Sequence, residues 1–398
     1  LVMTGSRGAW LALAVGLYAA GAWLAAGRLA GQRGGRRLAA WVGLLLAGLL
    51  LAALAVALLV RTGLWGAGLL DMYSLFDRVE WYRYSFLLAK DYAFVGAGLN
   101  NFLMLYASYA LLTHVGYIFN AHSLFLGVAI AQGIPGLLAL AWMWGVLASL
   151  AWRQAWQQGR EARGWTSAAA PLMGIAAACV AIALVHGLAE SALYGSGVFL
   201  LSMPLAFALP DDVPGAEPVR ARSKRAALAA LSVTLALVLL VVLVGPRSLL
   251  AQWSANLGAV RQGQAELSVY SWPEWWGQDD VRRAVDLDRP VAELERALAL
   301  DPANGTANRR LGMIELSLGE YEDALGHLAA AYDSEDWSVT TRQLLGEALV
   351  VNGRLDEGRA LWADVNNGQR QLVYRAEWYK HIGEGEREAA VRQAAAGY

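Results

Sequence analysis

The sequence predicts an all-α protein in two parts. The first is a polytopic helical membrane domain over residues 1–245; the second is an outward-facing α-solenoid of helical repeats over 290–398. Three observations carry this. The chain of 398 residues is 57% hydrophobic and only 16% charged, with 17 Trp, too little charge to cover a soluble surface of that size. Long apolar runs alternate with short Arg-rich loops. From about Pro290 the composition turns to Ala, Leu, Glu and Arg with a helical period.

Taken in order, Gly8 to Gly27 and Leu38 to Val60 are each long enough to span a bilayer. Arg28, Arg33, Arg36 and Arg37 lie between them, and a short loop so rich in Arg belongs on the cytoplasmic side. Arg7 and the segment 61–120 then fall on the outer side. A third span runs from near Ala121 to about Trp152 with Pro135 inside, where a missing backbone N–H predicts a kink. Arg153, Arg160 and Arg163 return the chain to the cytoplasm. Ala168–Val185 makes a fourth span, and an outer turn around His186, Glu190 and Gly195 leads to the short apolar stretch Gly197–Leu209. Arg220, Arg222, Lys224 and Arg225 precede a last span, Ala226–Val244. Everything after Pro246 is therefore expected outside. The chain opens on Leu, with an apolar helix inside its first ten residues, and is expected to be the C-terminal part of a longer protein. A signal peptide fits less well, because an Arg-rich loop and a second span follow.

Residues 246–289 read as a linker, whose Ser271-Trp272-Pro273-Glu274-Trp275-Trp276 is expected at the bilayer interface or in a packed loop. Beyond it, Leu311-Gly312, Gly319, Ala324, Leu328 and Ala331 recur as Leu345-Gly346, Gly353, Gly358, Trp362 and Val365, an offset of 34 residues. That period, with small residues where two antiparallel helices must approach, is the tetratricopeptide pattern. Two and a half such repeats are marginal alone, so docking on the membrane domain or on an envelope protein is expected.

The chemistry concentrates in the outer segment. Ionisable groups at a bilayer boundary cost free energy to keep and are functional candidates by default. Arg78 and His122 are the leading pair. An Arg fork binds phosphate oxygens in pairs, which suits Arg7, Arg78 and Arg83. A histidine has the unperturbed pKa nearest neutrality for accepting a hydroxyl proton, which suits His122. Each has a bland alternative: snorkelling for Arg7, a salt bridge to Asp77 or Glu80 for Arg78, a structural hydrogen bond for His122. His186, Glu190 and Ser123 are auxiliary candidates, and His114 is assigned to loop structure. Gly96 to Phe102 lacks the strand and βαβ unit of a dinucleotide loop and reads as backbone flexibility near the site. Asp286 and Asp288 lie at the edge of a repeat, and no His/Cys spacing suggests a metal, so no metal and no cofactor are expected. A net charge of −1 gives no reason to expect nucleic acid.

Thr4-Gly5-Ser6-Arg7-Gly8-Ala9, Arg78 with Trp81, Gly96-x-Gly98-x-x-Asn101-Phe102, and Ala121-His122 leading into Gly133-Ile134-x-Gly136 follow one another in this order. The ordered set, over roughly residues 1–210, resembles the O-antigen ligase and polymerase superfamily, which includes protein O-oligosaccharyltransferases. Ser123 stands where that family often has Asn. The resemblance implies an enzyme of the bacterial cytoplasmic membrane that moves a glycan from a polyprenyl diphosphate carrier to a hydroxyl of a glycan, lipid or protein acceptor. Polymerisation of lipid-linked repeat units is the runner-up. A non-catalytic scaffold recruiting envelope proteins is the alternative of another class; a transporter would show paired intramembrane charges or inverted repeats, and the sequence has neither.

Overall fold

The computed structural model describes residues 7–30, 40–48, 50, 72–99, 101–110, 120–161, 179, 182–188, 245–269, 277–363, 365 and 368–397, and these are helical and turn structure without strands. The spans expected at 168–185, 197–209 and 226–244, most of 38–60, the Trp-rich 271–276, and His114 and Glu190 lie largely or wholly outside the described residues. The chain divides into two compact units. One comprises 1–81, 121–128 and 137–218; the other comprises 82–120, 129–136 and 219–398.

In the first unit, α1 (Arg7–Ala30) and α2 (residues 40–48) pack antiparallel. Trp41 Nε1 donates to Ala19 O at 3.1 Å and Tyr18 donates to Leu44 O at 2.6 Å. Trp23 meets Trp41 edge to face with centroids 5.8 Å apart. α3 (Met72–Asp91) begins in this unit, as does α5 (Leu124–Glu161). Among the described residues one stretch, Leu124–Val146, is long and apolar enough to cross a membrane; Ala12–Trp23 is apolar but shorter.

α5 is broken where the sequence predicts, and the break shows why. Pro135 has no N–H to offer Ala131 O, and Ile134 N turns away to donate to Ala93 O at 2.7 Å. The two carbonyls so released are taken by the turn after α3: Ala97 N donates to Ile130 O at 2.7 Å and Gly98 N to Ala131 O at 3.0 Å. Gly133 adopts φ 67° and Gly96 φ 72°, a region glycine enters without penalty. A Cβ at Gly96 would stand 2.5 Å from Gln132 N. These glycines make a fixed backbone junction, which corrects the reading of 96–102 as flexible: the junction needs glycine for close approach.

In the second unit α4 (Phe102–Leu105) runs into a π-helical turn, Tyr106–Ala110. The stretch 246–289 carries α7 (Pro246–Ser268) and α8 (Gln278–Ala284). α9 (Asp288–Leu300) packs on α7 so closely that a Cβ on Gly258 would fall 2.7 Å from Leu294 Cγ. α10 (Gly305–Leu318), α11 (Tyr321–Glu335), α12 (Val339–Val351), α13 (Leu355–Trp362), α14 (Gly368–His381) and α15 (Gly385–Ala396) follow as hairpins. Equivalent contacts recur at the 34-residue offset. Gly312 faces Leu328 and Ala324 O, and Gly346 faces Trp362 and Gly358 O. Gly319 and Gly353 turn the chain at φ 93° and 81°.

The first helix of each hairpin is buried along its polar face as well, including Asn308, Arg309, Arg310, Thr340, Gln343 and Glu347. The segment 84–110 of the same chain, together with α7 and α8, covers it. Lys90 pairs with Glu335, Glu335 with Arg309, Arg309 with Asp91 and Asp91 with Arg310. The line continues through Gln262 and Glu266 to Arg282, then through Ser317 to Asp279, Arg375, Glu347 and Tyr379. Charges balance along it, as burial requires. Burial pushes the Asp91 carboxyl up, and Arg309 and Arg310 more than offset this, holding it below the usual carboxylate range. Burial acts likewise on Asp279, which Arg375 holds at about 2. Arg282 also donates to Ser108 O at 3.2 Å and Thr340 to Ala110 O at 2.6 Å, satisfying carbonyls of the π turn.

On the outside of the array His327 Nδ1 lies 2.8 Å from Glu315 Oε2. That hydrogen bond raises the His327 pKa, against partial burial, which lowers it. A raised folded pKa contributes stability that is fully present below the unfolded value of about 6.5 and is lost as pH rises through the folded one. In an NMR titration of the imidazole in the intact chain, Glu315→Gln is expected to move the His327 midpoint down; an unmoved midpoint would remove Glu315 as the cause.

Candidate functional site

The first unit brings together Trp81 and His122, which lie far apart in the sequence. Trp81, one helical turn after Arg78 on α3, stacks on the His122 imidazole with centroids 4.7 Å apart and planes 24° apart. Arg78 and His122 are both half-buried. His122 takes φ 48°, uncommon outside glycine although His is among the residues that tolerate it. The turn is fixed by the next residue: Ser123 is buried and caps α5, its Oγ accepting from Leu126 N at 3.4 Å and its carbonyl from Gly127 N at 2.9 Å. Ser123 is thus engaged in the cap of α5, directly after His122.

The start of α5 carries no acidic side chain in its first turn, and its positive dipole end favours an anion there. α6 (residues 182–188) closes on the same place. A Cβ on Gly187 would lie 3.2 Å from Leu124 Cβ, which brings the residue after His186 against the residue two beyond His122. His186 is half-buried, and its Nδ1 has no hydrogen-bond partner among the described residues. Arg83 is exposed, five residues past Arg78 on the same helix. Arg7 is the first residue of α1, and its side chain lies outside the described residues, as does Glu190. Asp286 accepts from Asp288 N at 2.9 Å, a local turn of the kind Asp commonly makes. Among the described residues no group of three His, Cys, Asp or Glu could hold a metal ion.

The described geometry is thus a half-buried arginine one turn before an aromatic ring that stacks on a histidine, just ahead of an apolar helix. Residues 1–141 match the family model described as O-Antigen ligase. The matched stretch holds Arg7, Arg78, Arg83, His122 and Ser123, and it ends within α5. That family consists of integral-membrane enzymes of cell-envelope polysaccharide assembly, acting on lipid-linked glycan and acceptor. No match was found among curated proteins or among solved structures.

The motif spacing pointed to Arg78 and His122; the sequence reading gave Trp81 no role of its own beyond its place beside Arg78. An aromatic residue one turn from a candidate arginine, on a helix otherwise mixed in polarity, was the available signal.

Proposed function

We propose that this chain transfers a glycan from a polyprenyl diphosphate carrier to an acceptor hydroxyl on the outer face of the cytoplasmic membrane. The observation that carries the reading is the Trp81–His122 stack one turn from Arg78, inside the stretch that matches the O-Antigen ligase model. His122 takes the acceptor proton as the new glycosidic bond forms. Arg78 binds the departing diphosphate, and Arg83 and Arg7 are further diphosphate-binding candidates. Trp81 holds the imidazole plane, and Ser123 holds the turn that presents it. His186 assists from α6, and Glu190 is a further auxiliary candidate. The reaction needs no metal, because the arginines supply the positive charge that the leaving group requires.

The membrane domain crosses the bilayer several times, and the C-terminal hairpins are tetratricopeptide-like repeats outside it. The 34-residue recurrence of Gly312 with Leu328 in Gly346 with Trp362 supports the latter. Their inner face is filled by the chain's own 84–110 segment, so we assign the array to bracing that segment. Recruitment of an envelope protein through that face would require displacing it.

The test compares the full-length gene with its His122→Ala and Arg78→Ala variants in a ligase-deficient host at matched membrane expression. Each variant is expected to lose transfer about a hundredfold or more, with lipid-linked glycan accumulating. Undiminished transfer in both would sink the site assignment. Loss of glycan elongation with transfer intact would favour the polymerase.

A further inference from the structure

The second unit exposes apolar side chains where a soluble surface would be polar. In the turn after α3, Val95 is 46% and Leu99 63% exposed; on α7, Leu250 is 55% and Trp253 41% exposed; on α5, Ile134 is 49% exposed. They belong to one neighbourhood. Phe94 meets Trp253 edge to face at 5.4 Å, and Ala93 O accepts from Ile134 N. Phe94 to Leu99 contains no ionisable side chain. An adjoining face of α7 is spoken for, since Gln252 and Asn256 donate to the last carbonyls of α3, Lys90 O and Asp91 O.

We propose that the Phe94–Leu99 turn and the Leu250–Trp253 edge of α7 form a shelf seated in the bilayer, with the lipid surface as its partner. The inference rests on the membrane reading above and deepens it. Three features identify lipid as the occupant. Ile134 lies within the stretch Leu124–Val146, which is apolar enough to cross a membrane, so the patch includes a residue of a helix already suited to hydrocarbon. Irregular backbone at that depth is tolerated only if its polar groups are paired, and the turn meets that condition: Gly96 N donates to Tyr92 O, Ala97 N to Ile130 O and Gly98 N to Ala131 O. Finally, Arg247, Leu250 and Trp253 follow one another at helical spacing with Arg247 exposed. A cation beside Leu and Trp is the side-chain set of a helix lying at the headgroup level.

The test places a nitroxide label at one of Val95→Cys, Leu99→Cys or Trp253→Cys, in a full chain whose single cysteine is removed by Cys179→Ser. The protein is reconstituted in phosphatidylethanolamine and phosphatidylglycerol vesicles. Leu138→Cys, on the apolar stretch of α5 and 65% exposed, serves as the hydrocarbon reference; Tyr374→Cys on α14, 50% exposed, serves as the aqueous one. Relaxation by oxygen relative to a neutral nickel chelate is expected to be several-fold higher at 95, 99 and 253 than at 374. Water-like values at those three sites with a lipid-like Leu138→Cys would overturn the shelf and leave the membrane reading standing. Water-like values at Leu138→Cys as well would overturn both. Shielding from oxygen and nickel alike would mean that protein covers the patch, and would also overturn the proposal.

Discussion

Replacing Arg310 with alanine is expected to destabilise the C-terminal unit by about 3–5 kcal/mol, the range for removing one partner of a buried ion pair. Arg310 is fully buried on α10. Its guanidinium pairs with Asp91, donates to Gln262 Oε1 at 2.9 Å and lies 4.2 Å from the Tyr109 ring centroid. The alanine variant leaves Asp91 with Arg309 as its remaining counter-ion and leaves Gln262 without its donor, both far from water. The loss should appear as a lower midpoint for the second unit in denaturant. Amide exchange in 84–91 and in 305–318 should accelerate together, because the two segments are joined through that carboxylate. Exchange that rises in 305–318 alone would show that the segment and the array are held independently. Lys90→Ala offers the contrast: Lys90 is partly exposed where it meets Glu335, so its removal should cost about 1 kcal/mol or less.

Gly96→Ala is expected to cost about 3 kcal/mol or more, the sum of an unfavourable left-handed φ and overpacking. The position combines φ 72° with Gln132 N and Ala131 O inside van der Waals distance of the new Cβ. Relief would require the turn to withdraw from α5, and that would release Ile130 O and Ala131 O from Ala97 and Gly98. Gly127→Ala, whose Cβ would meet nothing within 4 Å, should be neutral. Thermal unfolding of both variants in the intact chain checks the pair, and equal midpoints would show the junction to be less rigid than its hydrogen bonds imply.

Much of this was legible in the linear sequence. Helical repeats announce themselves through small residues, because a hairpin can close only where Gly312 or Gly346 leaves room for Leu328 or Trp362. The kink at Pro135 follows from a missing N–H. Arg78 and His122 stood out as the kind of ionisable group that apolar surroundings make costly.

The sequence by itself determined the helical class and the period of the C-terminal hairpins, since each depends on local pattern or on composition. Tertiary structure alone decided which of those residues meet. Trp81 meets His122 across a left-handed turn that stands just before the α5 cap made by Ser123. Asp91, unremarkable at the end of a helix, is buried only because Arg309 and Arg310, more than two hundred residues later, neutralise it. Gly96 looked like flexibility because a sequence records the lack of a side chain, and not the backbone that occupies its place.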